Sequence, residues 1–127
     1  MASTIDTAVI AVIGVFFAGM GVYALAAPAA LIRPFGVTLG ESAARSEVRA
    51  VYGGFGLAIA GVLAYAAVEA DARTGILLTV GAALAGMAFG RIVSAVVDAR
   101  TAFYPNWFYC LVEIIAAAAL FAVAYLG

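Results

Sequence analysis

Hydrophobic residues fill four long runs of this sequence, and polar residues gather between the runs. The runs cover residues 7–27, 47–68, 74–97 and 106–126. A helix that crosses the hydrocarbon core of a bilayer needs about 20 mostly apolar residues, and each run is long enough. Because backbone N–H and C=O groups find no partner in lipid, a spanning segment must satisfy them internally. The pattern therefore predicts four transmembrane helices.

Three polar connections join the predicted spans: 28–46, 69–73 and 98–105. The longest begins with Pro28, which can start a short helix, and the dipeptide Arg33-Pro34 is expected to end that helix. The second connection is predicted to be a tight, hydrated turn. Short connections make consecutive helices antiparallel neighbours. We therefore predict an all-α fold, a four-transmembrane-helix up-down bundle that forms a single integral membrane domain over residues 1–127.

Composition supports a membrane location and removes several classes of function. The 127 residues are 68% hydrophobic and 10% charged, whereas soluble domains have about 45–50% apolar and about 25% charged residues. His and Lys are absent and Cys110 is the only cysteine, which excludes His-based catalysis, Cys or His metal clusters, Schiff-base lysines and internal disulfides. The net charge of −1 without a basic patch excludes nucleic acid as a partner. The lipid bilayer is the expected partner, and we predict no cofactor and no metal.

Arginine positions predict the orientation in the membrane. The N-terminus, the second connection and the C-terminus share one side, where Arg73 is the only arginine. The first and third connections share the other side, which has Arg33, Arg45 and Arg100, with Arg49 close by. The positive-inside rule places the arginine-rich side in the cytoplasm. Both termini are therefore predicted to lie outside.

Two charged residues lie well inside the predicted spans. Arg91 is about six residues from the end of the third run, and Glu113 is about six residues beyond the start of the fourth. At 1.5 Å per residue, each lies roughly 9–10 Å deep. A charge at the bilayer centre costs about 2.5–3.5 kcal/mol on insertion scales, and two opposite charges can offset that cost by pairing. Because both residues are equally far from Ala102 in the connecting turn, we predict an Arg91–Glu113 pair.

Other polar residues repeat at intervals of three or four toward the same membrane face, and such intervals place side chains on one side of a helix. These stripes are Arg45, Arg49 and Tyr52 on the second predicted helix, Arg91, Ser94 and Asp98 on the third, and Asn106, Tyr109 and Glu113 on the fourth. The candidate polar site consists of Arg49, Tyr52, Arg91, Ser94, Asp98, Tyr109 and Glu113. Two interpretations stay open: a polar pin that fixes helix register, and a pocket that opens to one membrane face.

Glycines recur within the first three predicted spans, among them those at positions 14, 19, 21, 53, 54, 56, 61, 86 and 90. Small residues allow the backbones of transmembrane helices to approach closely. The glycines therefore indicate either packing between helices of one chain or a face that binds a second copy. Gly86 and Gly90 form a GxxxG motif, the pattern that is typical of helix association in membranes.

The segment from Glu47 to Gly54 resembles the E-x-R-A-x-Y-G-G signature of a family of small bacterial four-helix membrane proteins. The resemblance extends to Gly90, Arg91, Ser94, Asp98 and Glu113, while Ala99 stands where the family pattern has a glycine. That family is catalogued only as a domain of unknown function. The resemblance implies a multi-pass protein of the bacterial inner (cytoplasmic) membrane and marks the polar positions as a motif. It implies no activity.

The polar site supports three functional hypotheses. In the first, a pocket between the second, third and fourth helices holds a small amphipathic or lipid-like ligand, or the site docks a partner subunit or a second copy. Arg49 and Arg91 would supply donors, Glu113 would orient Arg91, and Tyr52 would line the wall. In the second, Glu113 takes up and releases protons in a proton-coupled small-molecule transporter. In the third, a cofactorless membrane enzyme uses Glu113 or Asp98 as acid or base on a lipophilic substrate.

Overall fold

A computed structural model describes residues 3–127 of the chain, and helices dominate this part. We number them α1 (Thr4–Ala26), α2 (Pro28–Ile32), α3 (Ser42–Val68), α4 (Ala70–Val97) and α5 (Phe103–Leu126). All except the short α2 are long and apolar enough to cross a membrane. Residues 3–127 contain no β-strand. The predicted all-α fold with four apolar spans is therefore confirmed.

The four long helices form a bundle built from two hairpins. α1 packs along α3, and α4 packs along α5. The hairpins meet where α3 contacts α4 and where α1 contacts α5, so consecutive helices are neighbours around the bundle. Its core contains large side chains that are almost fully enclosed, among them Ile10, Leu63, Leu77 and Leu120. Burial between helices thus concentrates in the apolar middle, and the polar groups lie toward the ends.

The helices extend beyond the apolar runs from which they were predicted. Ser3 caps the N-terminus of α1. Its Oγ accepts a hydrogen bond from the backbone N–H of Asp6 at 3.0 Å, and the Asp6 carboxylate accepts one from the backbone N–H of Ser3 at 3.3 Å. This reciprocal capping box satisfies two N–H groups that an uncapped helix leaves without partners. α4 begins at Ala70, so only Glu69 interrupts the helical chain where a turn over 69–73 was expected.

The second span contains an irregular turn at its contact with α1. Residues Arg49–Gly54 are π-helical, between regular α-helix at Ser42–Val48 and Phe55–Val68. A Cβ on Gly21 would lie 2.8 Å from the Gly53 carbonyl oxygen, and a Cβ on Gly56 would lie 3.0 Å from the Phe17 carbonyl oxygen. No larger residue fits there without moving the backbone. These glycines therefore serve packing within the chain, as one of the two interpretations predicted.

The first connection folds across one end of the bundle. Pro28 occupies the first turn of α2, and a 3-10 turn follows at Arg33–Phe35, so the predicted start and end of the short helix are confirmed. Gly36 has φ 78° and closes this turn in the left-handed conformation that glycine adopts without steric cost. The turn brings Phe35 over the end of the α4–α5 hairpin, where its ring centre lies 5.6 Å from the ring centre of Tyr109.

Candidate functional site

Arg91 of α4 and Glu113 of α5 form a two-pronged ion pair. The guanidinium Nε donates to Glu113 Oε1 at 2.8 Å, and Nη2 donates to Oε2 at 3.1 Å. This parallel arrangement is the strongest and most directional of the arginine–carboxylate geometries. The pair predicted from matched depth therefore forms. It ties the two helices of the hairpin together at one level.

The pair is enclosed by protein rather than open to a cavity. The Glu113 side chain is 6% exposed and the Arg91 side chain is 21% exposed. Both carboxylate oxygens accept hydrogen bonds from Arg91, and within residues 3–127 no buried side-chain polar atom lacks a partner. A buried charge that lost its partner would cost several kcal/mol, about 3–5 in measured cases. Of the two interpretations, this geometry fits the polar pin at the Arg91–Glu113 contact.

Three further groups surround the Arg91 guanidinium. Nη1 donates to Asn106 Oδ1 at 3.3 Å, and the guanidinium carbon lies 5.7 Å from the Phe35 ring centre and 5.9 Å from that of Tyr109. Arginine over an aromatic face gains about 0.5–1 kcal/mol or more when water is excluded. Sequence reasoning placed Asn106 and Tyr109 on the correct face and missed Phe35. Phe35 is one of several large apolar residues in the first connection, with Leu31, Ile32, Val37 and Leu39, so no sequence pattern distinguished it.

Arg49 does not join the Arg91–Glu113 pair. Its Nε donates to the carbonyl of Leu25 at 3.0 Å, in the last turn of α1. A helix leaves its final carbonyls without intrahelical partners and has partial negative charge at that end, so a guanidinium there satisfies both. Tyr52 lies half-buried in the same π-helical turn. Arg49 therefore serves the α1–α3 contact, whereas Arg45 donates to Ser42 Oγ of its own helix at 3.1 Å.

Ser94 and Asp98 lie at the C-terminal end of α4, beyond the Arg91–Glu113 pair. Asp98 is exposed and follows the last helical residue, and its Oδ1 accepts a hydrogen bond from the N–H of Ala99 at 2.7 Å. Ser94 lines a cleft of about 230 Å³ at the same end of the hairpin. The cleft is lined by Ser94, Ala95, Ala99, Arg100, Thr101, Asn106 and Trp107. Asn106 therefore touches both the cleft and Arg91.

A second concavity, a shallow apolar groove of about 340 Å³, lies between α4 and α5 nearer the middle of both helices. It is lined by Ala85, Ala88, Phe89, Ile92, Ile114, Ala117, Ala118 and Phe121. Ala88 in the groove and Ala95 in the cleft are one heptad apart on α4, as are Ile114 and Trp107 on α5. Residues seven apart face the same neighbour in packed helices. Groove and cleft therefore follow one seam, which we call the α4–α5 seam.

Metal chemistry finds no support in the described part of the chain. Residues 3–127 contain no group of three or more His, Cys, Asp or Glu side chains that could hold a metal ion. Cys110 is buried, and its Sγ lies 3.8 Å from the Ala88 carbonyl oxygen. The thiol thus behaves as a small core residue with a weak hydrogen bond.

Comparison with known proteins gives one match. No curated protein and no solved structure matches the chain at a significant level. The family model described as "Domain of unknown function (DUF4345)" matches residues 5–124, which include most of all four apolar helices. The predicted resemblance to a domain of unknown function is confirmed at the level of the family. The chain is a small membrane protein with four helices fit to span a bilayer, and it belongs to the DUF4345 family.

Proposed function

We propose that this protein binds a small amphipathic, lipid-like molecule in the α4–α5 seam. One observation supports the proposal above all: an apolar groove and a polar cleft follow each other along the same seam. A ligand of this class needs an apolar wall for its chain and polar groups for its head. The polar groups of the cleft lie at the C-terminal end of α4, beside Trp107. Tryptophan is a residue type that favours the bilayer interface.

The Arg91–Glu113 pair holds this site together without binding the ligand directly. The two side chains are satisfied by each other and by Asn106, and they connect the two helices that form the seam. The ligand-binding hypothesis from the sequence placed donors of Arg49 and Arg91 in the pocket. We instead place the polar part of the binding site in the cleft, which Ser94, Asn106 and Trp107 line.

The other hypotheses draw less support from this geometry. A proton-coupled transporter or a cofactorless enzyme would use the carboxylate of Glu113, but both oxygens of that group are bound to Arg91 and the side chain is 6% exposed. Docking of a partner subunit or a second copy stays a prediction from Gly86 and Gly90, where an added Cβ would meet nothing within 4 Å.

The proposal is tested by mass spectrometry of protein purified in a mild detergent, with a matched pair of variants on α4. Ala85 lines the groove, whereas Ala83 is exposed elsewhere on the helix, and residues two apart point about 160° away from each other. We expect a copurified amphiphile in the wild type and in Ala83→Phe, and its loss in Ala85→Phe, whose ring fills the groove. Equal retention by the two variants would overturn the seam as the binding site.

A further inference from the structure

We infer that the cleft binds the negatively charged head group of an anionic phospholipid, with the Arg100 guanidinium as the main anion-binding group. The inference rests on the proposed function, since it assigns a chemical class to the ligand of the α4–α5 seam. Three features of the described residues support it: the charge of the cleft wall, the orientation of the Asn106 amide, and the length of the seam.

The cleft wall offers hydrogen-bond donors and no carboxylate. Arg100 is the only charged residue that lines it, and Ser94 and Thr101 add hydroxyl groups. Among residues 3–127 the only ion pair joins Arg91 to Glu113, so the Arg100 guanidinium is not neutralised by an acid of the described chain. The nearby Asp98 carboxylate accepts from the Ala99 backbone and is not part of the wall. The wall therefore favours a negatively charged group.

The Asn106 amide is fixed with its donor end free. An arginine has only donors, so the atom of Asn106 that lies 3.3 Å from Arg91 Nη1 has to be the carbonyl oxygen Oδ1. The NH₂ group of the same amide, which has no hydrogen-bond partner among residues 3–127, is the end left for the cleft that Asn106 lines. Glu113 holds Arg91, and Arg91 holds Asn106. The buried pair thus acts as a positioning device for one more donor.

The seam is long enough for the acyl chain of a phospholipid. From Phe121 at the inner end of the groove to Trp107 in the cleft, α5 rises about 21 Å at 1.5 Å per residue. The acyl chains of one leaflet occupy about 15 Å, half of the about 30 Å hydrocarbon core. A molecule with its chain in the groove therefore has its head at the cleft. A free inorganic anion would use the cleft alone and leave the groove without a role.

The test compares an anionic and a zwitterionic phospholipid that share the phosphate and the acyl chains. The purified full chain, in zwitterionic micelles, is titrated with phosphatidylglycerol or phosphatidylcholine of identical acyl chains, and bound lipid is counted by native mass spectrometry. We expect phosphatidylglycerol to bind about tenfold more tightly, which corresponds to about 1.4 kcal/mol, because the choline cation of phosphatidylcholine is repelled by the Arg100 guanidinium. Arg100→Gln should reduce the ratio to near one. Arg33→Gln, which changes an exposed arginine on the same side outside the cleft wall, should keep it.

A near-isosteric variant separates head-group recognition from folding. Asn106→Asp keeps an oxygen for Arg91 to donate to, but it replaces the free NH₂ group by a second acceptor and adds a negative charge beside the cleft. We expect the preference for phosphatidylglycerol to disappear while the thermal midpoint stays at or above that of the wild type. A preference that survives both Arg100→Gln and Asn106→Asp would overturn the inference.

The remaining outcomes distinguish failure of the inference from failure of the proposed function. Tight binding of both lipids, blocked by Ala85→Phe, would leave the seam as a lipid site and overturn the selection of an anionic head. Absence of any retained lipid from the wild type would overturn the proposed function itself. Displacement of phosphatidylglycerol by millimolar inorganic phosphate would identify a free-anion site and overturn the phospholipid. Equal binding of a fatty acid and phosphatidylglycerol would overturn the phosphate head group as the selected class.

Discussion

Three arginines of this protein bind two kinds of acceptor. Arg49 and Arg73 each donate to carbonyls in the last turn of the preceding span: Arg49 to Leu25 of α1, and Arg73 to Ala66 at 2.7 Å and Ala67 at 3.1 Å near the end of α3. Arg91 instead binds a carboxylate. In each case an oxygen without another partner gains a charged donor, so the cost of placing a guanidinium near lipid is offset locally.

The Arg91–Glu113 pair predicts an unusual order of stabilities. Arg91→Ala leaves the Glu113 carboxylate buried without a partner and should cost about 3–5 kcal/mol. The double change Arg91→Ala with Glu113→Gln removes that charge and should be the more stable of the two variants. Thermal unfolding in one detergent measures both. Equal midpoints, or a lower midpoint for the double variant, would contradict the pairing as a source of stability.

The capping role of Arg73 leads to a second prediction. Arg73→Met removes two hydrogen bonds from one guanidinium to carbonyl oxygens. It should lower the free energy of unfolding by about 1.5–3 kcal/mol, the contribution of one such bond, because both bonds come from a single half-buried side chain. Arg33→Met is the matched control, because Arg33 is exposed and makes no side-chain hydrogen bond to any residue of 3–127. The control should stay within about 0.5 kcal/mol of the wild type. Denaturant titration in micelles compares them.

Element by element, the sequence predicted the spans well and their local irregularities poorly. A single apolar segment in a bilayer satisfies its backbone hydrogen bonds only as a helix, so the four spans could be predicted from the positions and lengths of the apolar runs. The π-helical turn at Arg49–Gly54 did not, because its register depends on how Gly53 packs against Leu25 of another helix. The glycine pattern indicated close helix packing, but it did not distinguish glycines that face another helix of the chain from glycines on the outer surface of the bundle.

Glycine substitutions test that separation between elements. Gly21→Ala places a methyl group 2.8 Å from the Gly53 carbonyl oxygen and 2.9 Å from the Leu57 nitrogen. Because both contacts are backbone, the helices must move apart, and overpacking of this kind costs about 1–3 kcal/mol. Gly86→Ala meets nothing within 4 Å and should leave stability unchanged or raise it by about 0.5–1 kcal/mol through helix propensity. Thermal midpoints of the two variants provide the measurement.

The reverse order of the two glycine variants would be informative. A Gly86→Ala chain that unfolds at a lower temperature than Gly21→Ala would contradict the packing of α1 on α3 as described. If Gly86→Ala also changed the mass of the protein–detergent particle, the exposed face of α4 would be covered by a second copy. The Gly86 face would then serve association between chains, the alternative that the sequence left open.

Viewed as a whole molecule, the protein has its polar site toward one end of the bundle. Its buried ion pair, its cleft and the first connection all lie on the side of the first and third connections. Sequence reasoning predicted this asymmetry and the Arg91–Glu113 contact, because both depend on residue order within single hairpins. It did not predict that Phe35 covers Arg91 or that Arg49 turns toward α1, since those contacts join segments 24 residues or more apart.

The distribution of arginines between the two ends predicts the orientation of the molecule in a membrane. The first and third connections contain Arg33, Arg45 and Arg100, so the positive-inside rule places this end in the cytoplasm. Single cysteines test the orientation: Gly40→Cys in the first connection and Ala70→Cys at the start of α4 are both exposed. In intact bacterial cells, a membrane-impermeant maleimide should label Ala70→Cys and reach Gly40→Cys only after permeabilisation.

The native cysteine provides the background for this orientation experiment. Cys110 is 1% exposed within the bundle, so the unmodified chain should remain unlabelled before and after permeabilisation, and Cys110→Ala removes any residual signal. Labelling of Gly40→Cys in intact cells, with protection of Ala70→Cys, would reverse the orientation. The cleft would then face the outer leaflet, and its lipid would have to be drawn from there. The orientation result therefore fixes which leaflet supplies the anionic lipid proposed for the α4–α5 seam.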